Sequence, residues 1–353
     1  MSGRMGLHAH DKRPTSRPKP TVFLMTTIAA TPLPMRMVGV IRNPRSQRNR
    51  KATAPPRVPT GMQLAEPATP EALAETLQQF AAQGISHLLI DGGDGTLRDV
   101  LGLLPAAYGA AWPTLSLCAS GNTNLAAANV GAFQHGSSAL EQLQATLNGA
   151  APARVSQCRA IEVRWPDASR TPVFGFFVGC AGYARGVQMA TGALRERGWF
   201  HGWAVAGALI AAAWQIITGA ADSEWQRGSE MALAIDGGRA EAASRFVFLA
   251  TSLDRLMLGL WPFWSAPDAP KAPLHWLDIR APAPRFGSAL LSLLRGQPKP
   301  WVRASSAYRS GTATRLCLTL KEPLIVDGEP YAADANGQIE LCAGPLLRFH
   351  APG

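Results

Sequence analysis

Three glycines within four residues, Gly92, Gly93 and Gly95, enclose Asp94 directly after the apolar run Leu88-Leu89-Ile90. A run of that kind suits a buried strand, and the glycines let the chain turn sharply and press close to a ligand. Successive backbone N–H groups in such a turn form a concavity for anions. A helix expected over residues 96–104 adds its positive end at the same place. The chemistry favoured is phosphate binding. Asp94 then lies beside an anion, so it holds a metal ion, takes a proton, or orders the turn by hydrogen bonds. A plain strand-turn-helix corner capped by Asp94 stands beside the phosphate reading.

Two more strand-like runs end in polar loops. Val38-Gly39-Val40-Ile41 precedes Arg42-Asn43-Pro44-Arg45-Ser46, and Leu115-Ser116-Leu117-Cys118 precedes Ala119-Ser120-Gly121-Asn122-Thr123-Asn124. In an open parallel sheet such loops converge beyond the carboxyl ends of the strands, where ligands bind. A fourth element, Asp327-Gly328-Glu329, follows Leu324-Ile325-Val326. Taken without further context, Asp-Gly is also a strong hairpin-turn signal.

Asn-Pro-x-Ser, Gly-Gly-Asp-Gly-Thr, Gly-x-Thr-Asn and the late Asp-Gly-Glu, in that order, resemble the diacylglycerol kinase catalytic family, which includes sphingosine, ceramide and bacterial lipid kinases. The resemblance spans about residues 37–349. It implies an ATP- and Mg²⁺-dependent lipid kinase that phosphorylates a primary hydroxyl of diacylglycerol, ceramide or a related membrane lipid. It also implies a three-layer parallel α/β nucleotide-binding domain over 36–150 and a β-rich, sandwich-like lipid-binding domain over 151–353, with a helical insertion near 194–221 and the active site between the two. By the same resemblance Asn43, Ser46, Gly92, Gly93, Gly95, Thr96, Thr123 and Asn124 serve the nucleotide, and Asp94 holds Mg²⁺. Glu329 is the first candidate for general base, with Asp327 next and Asp94 a competitor. The chain departs from the family pattern at Gln47, where glycine is usual, and at Arg98-Asp99, where Asn-Glu is usual. Its third motif is stretched to Gly121-Asn122-Thr123-Asn124-Leu125. The metal-binding aspartate that some bacterial members carry in the second domain has no match, although Asp254 and Asp268 lie in that region.

The formal charge of +10 is unevenly placed: residues 1–57 hold 12 Lys or Arg against one acid, and the remainder has 22 basic and 23 acidic residues. The body is nearly neutral and lacks interleaved basic and aromatic residues, which argues against a nucleic-acid partner. Residues 1–35 read as a disordered tail or as sequence upstream of the true start at Met35 or Met37. The rival reading is a secretory signal built on the apolar stretch 22–30. Reversible attachment of this basic tail to anionic lipid is a further reading. Five widely spaced cysteines, Cys118, Cys158, Cys180, Cys317 and Cys342, read as buried hydrophobes in a reducing compartment. The expected location is cytoplasmic and peripheral at the inner face of the membrane.

Residues 45–70 read as a loop whose Arg48, Arg50, Lys51 and Arg57 either meet phosphates or are simply solvated. Residues 71–83 read as a helix with Leu73, Leu77 and Phe80 on one face. After residue 150, short strand-like runs at 159–165, 173–179, 231–235, 246–251, 274–279, 315–320 and 339–342 indicate a mostly antiparallel sheet. The alanine-rich stretch 199–221 is expected as a buried helix, with a lipid-facing or membrane-touching helix and a membrane-spanning one as alternatives, and Trp261-Pro262-Phe263-Trp264 as either a core corner or an interfacial element. Two alternatives remain: a soluble-substrate kinase such as NAD kinase, and a catalytically silent lipid- or nucleotide-binding protein. Neither Gly-x-Ser-x-Gly nor a strand-linked Gly-x-Gly-x-x-Gly is present, so hydrolase and dehydrogenase readings lack support.

Overall fold

Without polar alternation, a strand must be covered on both faces, and the first apolar run does form β1 (Val38–Arg42), buried throughout. It is followed by β2 (Met62–Ala65), α1 (Pro70–Ala82), β3 (His87–Gly92), α2 (Asp94–Tyr108), β4 (Thr114–Ala119), α3 (Leu125–Val130) and α4 (Ser137–Leu147). The computed structural model describes residues 37–52, 54–121, 123–188, 228–256, 259–266 and 274–353. The tail over 1–35, Asn122, the apolar insertion at 194–221 and Asp268 lie outside the described residues.

The four strands pair in parallel in the order β2-β1-β3-β4. Leu73, Leu77 and Phe80 of α1 join Leu97, Val100, Leu101 and Leu104 of α2, with α3, in one apolar cluster against the sheet. Leu140 and Leu143 of α4 pack with Val38, Val40 and Leu89 in another. Alternate residues of β1 and β3 thus enter different clusters, which makes three layers. Thr69 caps α1 by accepting a hydrogen bond from Ala72 N–H (3.2 Å), and Pro70 occupies the first turn, where no donor is needed. Two expectations need correction. The stretch 45–70 is not all loop: it holds a 3-10 turn at Asn49–Lys51 and the edge strand β2, whose half-buried Met-Gln-Leu-Ala gives little strand signal. Helix α2 begins at Asp94 rather than Thr96, because extended Gly93 already serves as its N-cap.

The second half is antiparallel: β5 (Ala153–Arg164), β6 (Val173–Gly175), β7 (Phe177–Ala181), β8 (Ser229–Ile235), β9 (Glu241–Thr251), β10 (Leu274–Arg280), α5 (Phe286–Leu294), α6 (Pro300–Ala304), β11 (Tyr308–Ala313), β12 (Arg315–Leu320), β13 (Leu324–Val326), β14 (Glu329–Tyr331) and β15 (Gln338–Pro352). Strand β15 joins the halves. It pairs antiparallel with β12 and β5, then meets β4 in parallel at Phe349 and Leu115. The sequence reading stopped this strand at Cys342, since Gly344-Pro345 resembles a turn. The register instead shifts between Ala343 and Leu346, and the strand continues to Pro352. The run expected at 173–179 is likewise interrupted at Phe176, between β6 and β7. Helices α5 and α6, enclosed by proline and glycine, were not expected. No helix among the described residues is long and apolar enough to cross a membrane.

Charge is buried in this half. Arg245 and Asp278 are both fully covered and joined at 2.9 Å, and Arg309 reaches the other Asp278 oxygen at 2.6 Å. Arg245 also donates to the carbonyls of Glu241, Ala243 and Met231. Removing one partner leaves an uncompensated charge in the core. Asp278→Ala is therefore expected to cost about 3–5 kcal/mol in urea-unfolding free energy, with Asp278→Asn milder because the amide oxygen still accepts one of the two arginine bonds.

Candidate active site

The ends of β1, β3 and β4 deliver three loops to one place, and hydrogen bonds knit them together. Asn43 N–H donates to Asp91 O (3.0 Å), and the Asn43 amide donates to Thr96 Oγ1 (2.9 Å) while its oxygen accepts from Arg45 N–H (2.9 Å). Asn49 donates to the carbonyls of Asn43 and Asp91. Ser120 N–H reaches Gly92 O (3.1 Å), and its hydroxyl donates to the buried Asp91 carboxylate, which faces Arg42 at 3.5 Å. The glycines have different duties. A Cβ on Gly92 would lie 2.5 Å from Thr96, and one on Gly121 would lie 2.4 Å from the Gly93 Cα, so the second and third loops touch backbone to backbone. Gly95 meets only Arg98, at 3.8 Å from such a Cβ. The N–H groups of Gly95 and Thr96 precede the first helical bond of α2, Leu97 N–H to Gly93 O.

Asp94 does what the sequence left among three options: it orders the turn. Its carboxylate accepts from Leu125 N–H (2.9 Å) and Ala126 N–H (3.1 Å), capping α3 from a different loop. Asn124, in left-handed conformation, closes its own loop on Gly121 in both directions, at 2.9 and 2.8 Å. Burial raises the Asp94 pKa, and the backbone donors work against that rise. Ser46 is buried, with its N–H on Asn43 O, and Thr123 is exposed.

From the other half comes the two-residue turn Asp327-Gly328 of the β13–β14 hairpin, with φ of 46° and 91°. It is a hairpin turn, as Asp-Gly suggests, but one whose carboxylate points inward. Asp327 accepts from Phe177 N–H at 2.9 Å and from Phe176 N–H at 3.1 Å, the point where β6 and β7 separate. Burial foremost, and then the Asp94 charge, raise its pKa to about 7. Glu329 is exposed at the start of β14.

Arg98, read from sequence only as a departure, stands in the first turns of α2 within electrostatic reach of Asp327 and Glu329. Its side chain is 12 % exposed, its Nη2 is 3.0 Å from Asp99, and its Nη1 is buried without a hydrogen-bond partner. Asp99, Tyr331 and Glu329 raise its pKa against the opposing effect of burial, and its own charge lowers that of Asp327. His135 was also missed. Its Nδ1 is 3.2 Å from Ser120 Oγ and its Nε2 meets Arg48; burial and then Arg48 lower its pKa, so it is neutral at pH 7. A lone histidine 15 residues beyond Ser120 carries no sequence signal. Arg45, Arg50 and Lys51 are exposed.

The site therefore combines free amides, an open glycine, an orphaned guanidinium donor and two carboxylates near one another. Amides and guanidinium suit phosphate oxygens. Among the described residues no group of three or more His, Cys, Asp or Glu could hold a metal ion alone. Mg²⁺ does not require such a cage, since it commonly takes one or two carboxylates with phosphate and water. Each Asp94 oxygen, having accepted one N–H, keeps a second lone pair.

Residues 37–155 match the family model of the diacylglycerol kinase catalytic domain. Two solved structures from Bacillus anthracis str. Sterne are similar. One is described as a diacylglycerol kinase (12 % identity, TM-score 0.56), and the other as a candidate diacylglycerol kinase (13 %, 0.59). In both cases 89 % of this chain and 96 % of the other are covered. At such identity they show a shared fold. Yeast NADH kinase complexed with NADH aligns at 11 % identity and TM-score 0.45 over 91 % of this chain and 84 % of its own. No curated protein sequence matches.

The backbone contact between Gly93 and Gly121 gives a direct expectation. Gly121→Ala forces the loops apart, and it is expected to cost about 1–3 kcal/mol in urea-unfolding free energy.

Proposed function

We propose that this chain, a member of the diacylglycerol kinase catalytic-domain family through residues 37–155, transfers the γ-phosphoryl group of ATP to a primary hydroxyl of a membrane lipid of the diacylglycerol or ceramide type. The observation that supports the reading is that the Asp327 turn lies close enough to the Asp94 glycine turn for the two carboxylates to feel each other's charge, with Arg98 also within electrostatic reach of Asp327. The family match over residues 37–155 supports a kinase. The acceptor, the nucleotide and the residue roles are our assignment, as is a division near residue 150 into a nucleotide half and a lipid half.

Phosphoryl transfer asks a protein mainly to align two oxygens, neutralise phosphate charge and receive the hydroxyl proton. The Gly95 and Thr96 amides hold phosphate oxygens at the positive end of α2. Asn43 and Ser46 of the first loop, with Gly92 and Gly93 of the second and Thr123 and Asn124 of the third, shape the nucleotide side. Mg²⁺, when bound beside Asp94, supplies neutralising charge for the phosphates. Arg98 directs its unpartnered Nη1 at the transferring group, and Asp99 orients it.

We assign Asp327 as the general base ahead of Glu329. A base works best when its pKa lies near the working pH, and Asp327, raised to about 7, meets that condition. Its bonds to the Phe176 and Phe177 amides hold it in place. Glu329 is exposed at the edge of the site and is assigned to support Arg98. We place the protein in the cytoplasm, peripheral to the inner face of the membrane. A reducing compartment agrees with five free cysteines, three of them buried.

The test is transfer of labelled phosphate from ATP with Mg²⁺ to detergent-dispersed diacylglycerols, ceramides and other lipids, with NAD as a soluble acceptor. One lipid class is expected to be labelled; labelling of NAD alone would sink the lipid assignment. Asp327→Asn is expected to lower kcat about 10²–10⁴-fold while ADP still binds, and Glu329→Gln far less. Because the base must be unprotonated, wild-type kcat/KM should rise with pH through about 7, and this limb should vanish in Asp327→Asn. Arg98→Ala should lower kcat by about 10²-fold, with a smaller change in the acceptor KM.

A further inference from the structure

The chain from Ile279 to Lys321 contains no acidic residue. Of its cations, Arg280, Arg309 and Arg315 are engaged by Glu241, Asp278 and Glu340. Four others, Arg285, Arg295, Lys299 and Arg303, are exposed and form no ion pair among the described residues. They mark the ends of two helices: Arg285 and Arg295 cap α5, Lys299 caps α6 at its start, and Arg303 lies in its last turn.

Between the first two cations, on the outer side of α5, stands Leu291. It is 60 % exposed, the highest value among the large apolar side chains described. Leu291 and Arg295 are one turn apart, as are Ser288 and Leu291, so a single stripe runs cation, serine, leucine, cation. Leu290 and Leu294 flank it half-buried, while Ala289 and Leu293 face inward. Indoles lie near two of the cations: Arg285 is 6.0 Å from the Trp301 ring and Arg303 is 5.7 Å from that of Trp264. A protruding leucine ringed by unpaired cations, with half-buried tryptophans at the same level, matches an anionic bilayer surface: headgroup charge outside and acyl carbon just below.

We propose that α5 and α6 form a docking face for an anionic phospholipid bilayer, with Leu291 entering the acyl boundary and Arg285, Arg295, Lys299 and Arg303 meeting headgroup phosphates. This rests on the lipid-acceptor reading above and adds where the membrane sits. The inner side of α5 shares an apolar cluster with Phe263, Val302, Tyr308 and Ile325, and Ile325 lies two residues before Asp327. The face is thus joined through packed side chains to the turn assigned as base. Trp261-Pro262-Phe263-Trp264 falls on both sides of the alternative read from sequence: Phe263 is fully buried, while Trp264 lies half-buried beneath Arg303.

The test is cosedimentation of the full chain with sucrose-loaded vesicles of phosphatidylcholine, with and without phosphatidylglycerol. Nucleotide and acceptor lipid are absent, so the outcome does not depend on catalysis. The wild type should partition at least about tenfold more strongly onto the anionic vesicles. The double variant Arg295→Gln/Lys299→Gln touches neither indole and should lose about 25-fold, near fivefold per cation. Leu291→Asp should also weaken binding, with thermal melting unchanged in both variants. The tail variant Lys12→Gln/Arg13→Gln is expected to lose less than the α5–α6 double variant. Equal binding to neutral and anionic vesicles, wild-type binding by the double variant, or a larger loss in the tail variant overturns the proposal. In detergent both α5–α6 variants should keep whatever lipid kinase activity the wild type shows. If no lipid is ever phosphorylated yet vesicle binding follows the expected pattern, the kinase assignment fails and the docking face stands.

Discussion

Two half-buried carboxylates near each other would be unstable without compensation, and in this protein backbone amides provide it. Asp94 is held by Leu125 and Ala126, Asp327 by Phe176 and Phe177. Each carboxylate reaches a peptide segment remote in sequence, so each fixes a piece of backbone as well as a charge. The short α3 has its entry set by Asp94, and the break between β6 and β7 is the place where Asp327 is received. Charge solvation and loop geometry are therefore one arrangement, and neither can be altered alone. At Asp327 burial and the Asp94 charge raise the pKa against the pull of those amides.

The two halves are held in one hydrogen-bonded network by β15, which runs from the antiparallel strands to the edge of the parallel sheet. The same junction carries side-chain bonds: Ser116 donates to His350 O at 2.8 Å, and the His350 ring pairs with Thr146 of α4 at 2.9 Å. One apolar cluster spans the junction, since Phe174, Phe176, Leu347 and Phe349 pack with α1 and α2. A continuous core of this kind limits how far the Asp327 turn can move from the glycine turn.

Much of the fold was legible because buried parallel strands and an amphipathic α1 write strong local patterns. The Val38, Leu88 and Leu115 runs each became a strand, and each was followed by the polar loop expected of it. What escaped was decided at longer range. Strand β2 exists because β1 offers it an edge, and β15 passes through Gly344-Pro345 by carrying one extra residue opposite β5. At the site, the motif residues do lie in three loops that touch. Their individual duties were hidden, because a carboxylate's partners are backbone groups 31 or 151 residues away. Arg98 was hardest to read, since only burial distinguishes an orphaned guanidinium from an ordinary surface arginine.

The pairing of β15 with β4 has a consequence for assembly during synthesis. Strand β4 takes β3 on one side; on the other a bridge from Cys118 to Phe133 covers its end, while Leu115 waits for Phe349, more than two hundred residues later in the chain. Until then the growing parallel sheet presents an open edge with unpaired peptide groups, the kind of template on which chains associate wrongly. The glycine and asparagine loops all precede Phe349 in the chain, yet the sheet that aims them is unfinished until it arrives. The nascent chain thus passes through a long interval in which its most aggregation-prone surface depends on protection from outside itself, and the final strand ends that interval in a single closing step.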